Sequence, residues 1–172
     1  NNINSWKQSN FSWINNNLIL EGINNYKKAT KDELEVWKIR QGIPSFGKEI
    51  NGENNPYELG LADNINLDKG CYLGQEAMAK FFRSKSLKHQ LRYWEAYGEN
   101  DNFKMGKKFF NTNKNEEYKK NIGVVTSSLS FDDNFFSGLA LIKKNFLDQK
   151  FCFSENGDSI TIKKPISFTN PF

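Results

Sequence analysis

The densest chemistry in the sequence lies in eight residues, Lys69-Gly70-Cys71-Tyr72-Leu73-Gly74-Gln75-Glu76. A thiol reacts as its thiolate, and a thiolate is favoured ahead of a helix amino terminus, where unpaired amides and the helix dipole face it. If a helix opens at Gln75, Cys71 stands just ahead of such an end, and Lys69 adds a cation nearby. Gly70 and Gly74 allow positive φ or close approach of backbone to a ligand. A purely structural alternative stands beside this one, with Cys71 as a small buried filler and the glycines only turning the chain. The remaining inventory is narrow. Two Cys and one His indicate neither a disulfide framework nor a tetrahedral zinc site, so no metal ligands are assigned. An iron–sulfur cluster needs about four thiolates, more than this chain can supply alone. Cys152 is expected in the core.

Two helices must frame that motif. Thr30-Lys31-Asp32-Glu33 matches a capping box, and Gly42 followed by Pro44 is a stop signal, which predicts a helix over Lys31 to Gln41 with Leu34, Trp37 and Ile39 as its apolar positions. From Gly42 to Asp63 the chain is rich in Gly, Asn and Pro and reads as a long irregular excursion. Its Glu49 and Glu58 read as solvated loop carboxylates rather than an acid–base pair. A short strand is expected at Asn64 to Asp68 and a second helix at Gln75 to Phe82. Beyond Arg83 the pattern turns to period two. Strands are predicted at Gln90 to Tyr97, Phe103 to Phe110, Ile122 to Leu129, Phe136 to Lys143, Phe151 to Ser154 and Ser159 to Ile162, the last two joined through Asn156-Gly157. The expected fold class is therefore α+β, with an α/β-layer portion over residues 1–82 and an antiparallel β-barrel of about six strands over 83–172.

Composition bounds the rest. A chain of 172 residues and 19.9 kDa can bury a core unaided, and 15% aromatic residues argue against disorder. A net charge of +4 is too mild for a dedicated nucleic-acid binder, and the stretch carrying Lys107, Lys108, Lys114, Lys119 and Lys120 reads as a solvated hairpin, with RNA contact a minority reading. No apolar run approaches the ~20 residues of a membrane span, so a soluble, cytoplasmic chain is expected. The first 20 or so residues read as a strand-containing segment from the middle of something larger.

The eight-residue motif resembles the signature of the YgfZ-type folate-binding proteins, relatives of the glycine-cleavage T-protein, an aminomethyltransferase; the group includes mitochondrial iron–sulfur assembly factors. Other segments agree in order: Trp37-Lys38-Ile39-Arg40-Gln41-Gly42-Ile43-Pro44, Gly47-Lys48-Glu49-Ile50, Pro56-Tyr57-Glu58-Leu59-Gly60-Leu61 and Gly138-Leu139-Ala140-Leu141-Ile142. The resemblance covers about Leu34 to Lys143 and implies a folate-binding α+β body followed by a barrel, of which this chain matches only the latter half. It also implies tetrahydrofolate or a derivative as cofactor, with Trp37 where a family tryptophan contacts folate; periodicity alone makes Trp37 equally a core aromatic. The transferases carry an acidic residue in the Gly-x-Pro helix, and here Arg40 occupies that place.

Two functions compete on these residues. The first is a folate-binding accessory protein for iron–sulfur cluster assembly or repair. In it Cys71 is the reactive thiol, Lys69, Gly70, Tyr72, Gly74, Gln75 and Glu76 form its motif, client or assembly proteins are the partners, and tRNA modification is affected indirectly. The second is a folate-dependent aminomethyltransferase, in which carboxylates orient substrate and folate. The thiol favours the first, and Arg40 weighs against the second.

Overall fold

A computed structural model describes residues 29–112, 118–131 and 134–171, together with the backbone of β1 (Asn4–Ser5) and β2 (Ser12–Trp13), which pair antiparallel with each other. The expectation for the remainder of the first 28 residues, and for Lys114, lies outside the described residues.

Helix α1 (Lys31–Gln41) opens as its sequence predicts. Thr30 Oγ1 accepts from the Glu33 amide at 3.2 Å while Glu33 Oε2 accepts from the Thr30 amide at 2.8 Å, satisfying two donors that the helix itself leaves unpaired. Gly42 closes it in the left-handed region, φ 77°, with its amide donating to the carbonyls of Lys38 and Ile39. A side chain there would be strained and would run into Pro165. Ile39 is buried, Trp37 half-buried and Leu34 exposed, so only the second half of the helix seats on the body.

Six strands form a closed antiparallel barrel: β3 (His89–Tyr97), β4 (Lys108–Phe110), β5 (Asn121–Ser130), β6 (Phe135–Lys143), β7 (Phe151–Phe153) and β8 (Ser159–Lys163), in the order β3-β6-β5-β4-β7-β8 with β8 returning to β3. The chain is thus α+β with a six-stranded barrel. Strand alternation sorts its side chains into two clusters. Trp94, Phe136, Ala140, Ile142, Ile160 and Cys152 fill the interior. Leu91, Leu139 and Leu141 point outward and are covered by Ile39, Leu59 and Phe168. Both faces of β6 are buried, which is why Gly138 to Ile142 is an unbroken apolar run rather than an alternating one.

A register shift between Val125 and Ser127 marks a bulge in β5. Strict alternation from the inward Val125 would turn Ser127 and Leu129 inward as well; the extra residue reverses the face, and both meet the outer layer instead.

Two expected strands differ. Asn64 to Asp68 forms no strand: a 3-10 turn spans Ala62–Asn64, and Asn66 Oδ1 accepts from the amides of Asp68 and Lys69 at 2.9 and 3.0 Å, a local side-chain turn that occupies the donors a ladder would need. The strand expected from Phe103 is paired only over Lys108–Phe110. Phe103 reaches the core from a 3-10 turn at Asn100–Asn102, and Gly106, φ 88°, bends the chain where its amide donates to the Val125 carbonyl at 2.9 Å, just ahead of the regular ladder.

Candidate functional site

The motif straddles the start of α2 (Gln75–Ser84), two residues longer than expected at its end. Its N-cap is Gly74, at φ 88°, so of the two motif glycines this is the one held in the left-handed region. Cys71 is exposed; the filler alternative therefore does not apply, while Cys152 is buried in the barrel, where desolvation pushes its thiol up to about 12. Gln75 organises the turn. Its Nε2 donates to the Leu67 and Lys69 carbonyls at 2.8 and 3.3 Å, and its Oε1 accepts from the Tyr72 amide at 3.3 Å. Lys69 Nζ lies 4.9 Å from the centre of the Tyr72 ring, a cation–π contact. Glu76, exposed, sits in the first turn of α2, where its charge complements the helix dipole.

Gln75→Ala should free residues 67–72 at a cost of about 1 kcal/mol for partly solvated hydrogen bonds, read as a roughly fivefold faster tryptic cleavage after Lys69 with the global unfolding midpoint nearly unchanged. In the same native protein a thiol reagent should label Cys71 and leave Cys152 untouched until unfolding. Labelling of Cys152 in the folded chain would contradict the barrel assignment.

Two concave surfaces flank these elements. One, of about 570 Å³, runs beside the motif and is lined by Tyr57, Asp63, Ile65, Leu67, Asp68 and Phe82 among others. Its charged walls are acidic. Tyr57 meets Phe82 of α2 with ring centres 6.2 Å apart, and its hydroxyl is raised above the ordinary tyrosine value, first by burial and then by the Tyr72 hydroxyl.

The second, of about 400 Å³, opens where the carboxy end of α1 meets the outer face of β3 and β8. It is lined by Arg40, Tyr93, Glu95, Phe135, Lys163, Lys164, Pro165 and Ile166. Three cations face a single carboxylate. Arg40 lies over the Phe131 ring at 5.5 Å, Phe131 and Phe135 are 5.6 Å apart, and Lys163 Nζ donates to Glu95 Oε1. The Tyr93 hydroxyl donates to Glu95 Oε2 at 3.3 Å, and burial raises its pKa, keeping it a donor. None of residues 69–76 lines this cleft. Trp37 stands three residues before Arg40 on α1, a neighbouring position on the helix surface.

Sequence reasoning picked out Arg40 but missed Tyr93, Glu95, Lys163 and Lys164. The outward alternation Tyr93, Glu95, Tyr97 was a usable signal, since only a solvated or functional face puts a carboxylate between two tyrosines on a buried strand. Glu49 also departs from its reading: it is fully buried, accepting from the Ser45 amide at 2.9 Å and from Ser127 Oγ at 2.5 Å. Glu58 Oε1 accepts from the amides of Lys88 and His89 at 2.8 and 3.0 Å. Both loop carboxylates fasten the excursion to the barrel. Among the described residues no cluster of three or more His, Cys, Asp or Glu could hold a metal ion, and no helix is long and apolar enough to cross a membrane.

No family model matches the sequence. The chain is 40% identical over 57 residues, 33% of its length, to a chloroplastic protein of Arabidopsis thaliana named provisionally as a transferase, of which the match spans 13%. It is 30% identical over 82 residues, 46% of its length, to an aminomethyltransferase of Caldanaerobacter subterraneus subsp. tengcongensis, of which the match spans 22%. The chain thus resembles, over part of its length, an aminomethyltransferase and a protein named as a transferase, and it spans less than a quarter of either relative.

Proposed function

We propose that the chain belongs to a folate-binding accessory protein of the T-protein-like superfamily, with tetrahydrofolate or a derivative held in the cleft at the carboxy end of α1. Residues 1–82 would contribute to the folate-binding body and 83–172 form its barrel domain. The observation that carries this reading is the chemistry of the cleft walls. A folate joins a flat pterin to an anionic glutamate tail. Phe135 and Tyr93 line the cleft with aromatic surface for the pterin, and Arg40 and Lys164 offer cations for the carboxylates, Lys163 being paired with Glu95. The acidic cleft beside the motif lacks that complement. Bound tetrahydrofolate would supply one-carbon carriage at its N5 and N10 nitrogens, and Arg40 and Lys164 would hold and orient it.

Cys71 lies outside the cleft and is exposed. A displayed thiol is suited to another protein rather than to the folate, which favours support of iron–sulfur assembly in client enzymes, with tRNA modification as an indirect outcome. The name of the bacterial relative favours a second reading, aminomethyl transfer to folate. Transfer from an aminomethyl-lipoyl donor by the folate-loaded chain would establish that reading in place of the first.

Anaerobic titration with tetrahydrofolate tests the shared premise. Saturable binding is expected, and Arg40→Ala should weaken it about tenfold, as loss of a charge-assisted contact to a carboxylate does. Absence of binding up to millimolar tetrahydrofolate would refute the folate reading.

A further inference from the structure

We propose that the outer face of β4, β7 and the end of β3 is a platform for single-stranded RNA, where bases stack on exposed aromatic rings and flanking lysines meet the phosphates. This surface stands apart from the folate reading: Phe110, Lys119, Phe151 and Phe153 do not line the cleft at the end of α1.

Phe109 and Cys152 occupy the barrel interior, so alternation sends Phe110, Phe151 and Phe153 outward. None of these three belongs to either apolar cluster, and Phe151 is 57% exposed. A solvated strand face ordinarily carries polar side chains; a row of rings there without apolar cover points to a flat partner. The row runs across the strands. Phe110 is the register partner of Phe153, and Phe153 that of Ser159. Past β8 it continues into a groove of about 530 Å³ on β3, lined by Tyr97, Phe135, Ser159 and Thr161 among others. There Tyr97, 72% exposed, meets Phe135 with ring centres 4.9 Å apart.

Cations frame the row. Lys119 Nζ sits 4.5 Å from the centre of the Phe110 ring and donates to the Glu155 carbonyl at 3.1 Å, which holds its charge on the platform. Lys108 lies two residues before Phe110 on the same face, and Lys150 immediately precedes Phe151; both are exposed. Among the described residues no ion pair engages these three lysines. Of the neighbouring carboxylates, Glu95 in the groove is paired with Lys163, Asp158 accepts from Asn102 and Ser154, and Glu155 is exposed on the turn after β7. Stacking rings beside uncommitted cations are the two parts of a single-strand site, a local juxtaposition that a net charge of +4 over the whole chain does not disclose. Thr161 and Ser159 stand opposite Phe151 and Phe153 in the β7–β8 ladder. Their hydroxyls can donate to or accept from a ribose 2′-OH, which favours RNA over DNA.

Fluorescence anisotropy with a labelled oligouridylate of about ten nucleotides tests this on the wild-type chain, beside the deoxy strand of the same sequence and inorganic polyphosphate as a polyanion without bases. Saturable RNA binding that weakens as salt rises is expected, with the deoxy strand held severalfold less tightly. Phe151→Ala should weaken RNA binding about tenfold and leave polyphosphate binding unchanged, and Phe151→Trp should keep the wild-type affinity. Lys119→Gln should reduce the slope of log affinity against log salt by about 0.7, the value for one phosphate contact on a single strand. Circular dichroism checks that the variants are folded; if Phe151→Ala is not, Lys150→Gln replaces it, with the same reduction in slope expected and an unchanged slope counting against the platform. Tetrahydrofolate titration of Phe151→Ala should match wild type, which separates this surface from the cleft. Equal RNA affinity in wild type and Phe151→Ala would overturn the platform, and so would polyphosphate bound as tightly as RNA, since that is a cation patch only. Equal affinity for the deoxy strand would overturn the assignment to RNA. A wild type that binds none of the three probes at low salt would refute RNA as the occupant, in favour of a protein surface.

Discussion

Gly138→Ala is expected to destabilise the chain by about 3 kcal/mol, the upper part of the range for forcing extra volume into a packed core. Gly138 sits on β6 between two neighbours, opposite Trp94 on β3 and Ser128 on β5. A Cβ at this position would fall on the Ser127 carbonyl and come within 2.8 Å of Trp94 Cζ2. The first obstacle is backbone and cannot rotate away. The second is an indole held from both sides, by its Nε1 donating to the Leu139 carbonyl at 3.1 Å and by Phe103 and Phe109 with ring centres 5.5 and 5.7 Å away. Relief would therefore require β5 and β6 to separate beside the bulge. Urea unfolding checks this: the midpoint should fall at unchanged m. Gly70→Ala is the matching control, since a Cβ there meets nothing within 4 Å and its φ is not positive; it should lie within about 0.5 kcal/mol of wild type. A Gly138→Ala protein as stable as that control would mean that the β5–β6 approach is looser than described.

The contrast between what the sequence discloses and what it hides follows from the range of the interactions. Thr30 and Glu33 are three residues apart, and so are the atoms they join, so the start of α1 was legible. Alternation along β3 was legible for the same reason, and the apolar runs of β5 and β6 between turn residues supplied further strands of the six-stranded barrel. The misread strand at Asn64 to Asp68 shows a local competitor winning, since Asn66 captures two amides that periodicity assigned to a ladder. The cleft at the end of α1 was hidden for the opposite reason. Arg40, Glu95, Phe135 and Lys163 come from four elements and converge only because the barrel closes β8 onto β3; no spacing in the chain records that. Cys71 was singled out by its local motif, yet the motif does not disclose that the cationic cleft lies elsewhere.

Glu49 is the sharpest case of a side chain whose sequence context misleads, and it carries the second large expected effect. Set among Gly, Lys and Asn, it reads as a solvated carboxylate, yet it is fully buried and joins the irregular excursion to β5, 78 residues away. The bulge after Val125 turns Ser127 Oγ toward it at 2.5 Å, while the Ser45 amide donates to its other oxygen at 2.9 Å. Glu49→Ala would leave the buried Ser127 hydroxyl and the part-buried Ser45 amide without their acceptor, at about 1–3 kcal/mol for the first and about 1 kcal/mol for the second, so a loss of about 3 kcal/mol is expected, or roughly 10 °C in Tm for a chain of this size. Glu49→Gln keeps the volume and one acceptor, and Ser127 can rotate its hydroxyl to accept from the new amide, so its cost should be nearer 1 kcal/mol. Ser127→Ala provides the second arm of a double-mutant cycle, and a coupling of about 1 kcal/mol or more with Glu49→Ala is expected for partners in direct contact. Hydrogen exchange gives the spatial readout: in Glu49→Ala the amides of Ser45 to Ile50 should lose protection first, because the Ser127 bond is their tie to the barrel. Additive costs in the cycle, with protection retained over those residues, would show that the excursion is held by Glu58 and the apolar layer alone and that the bulge in β5 serves some other purpose.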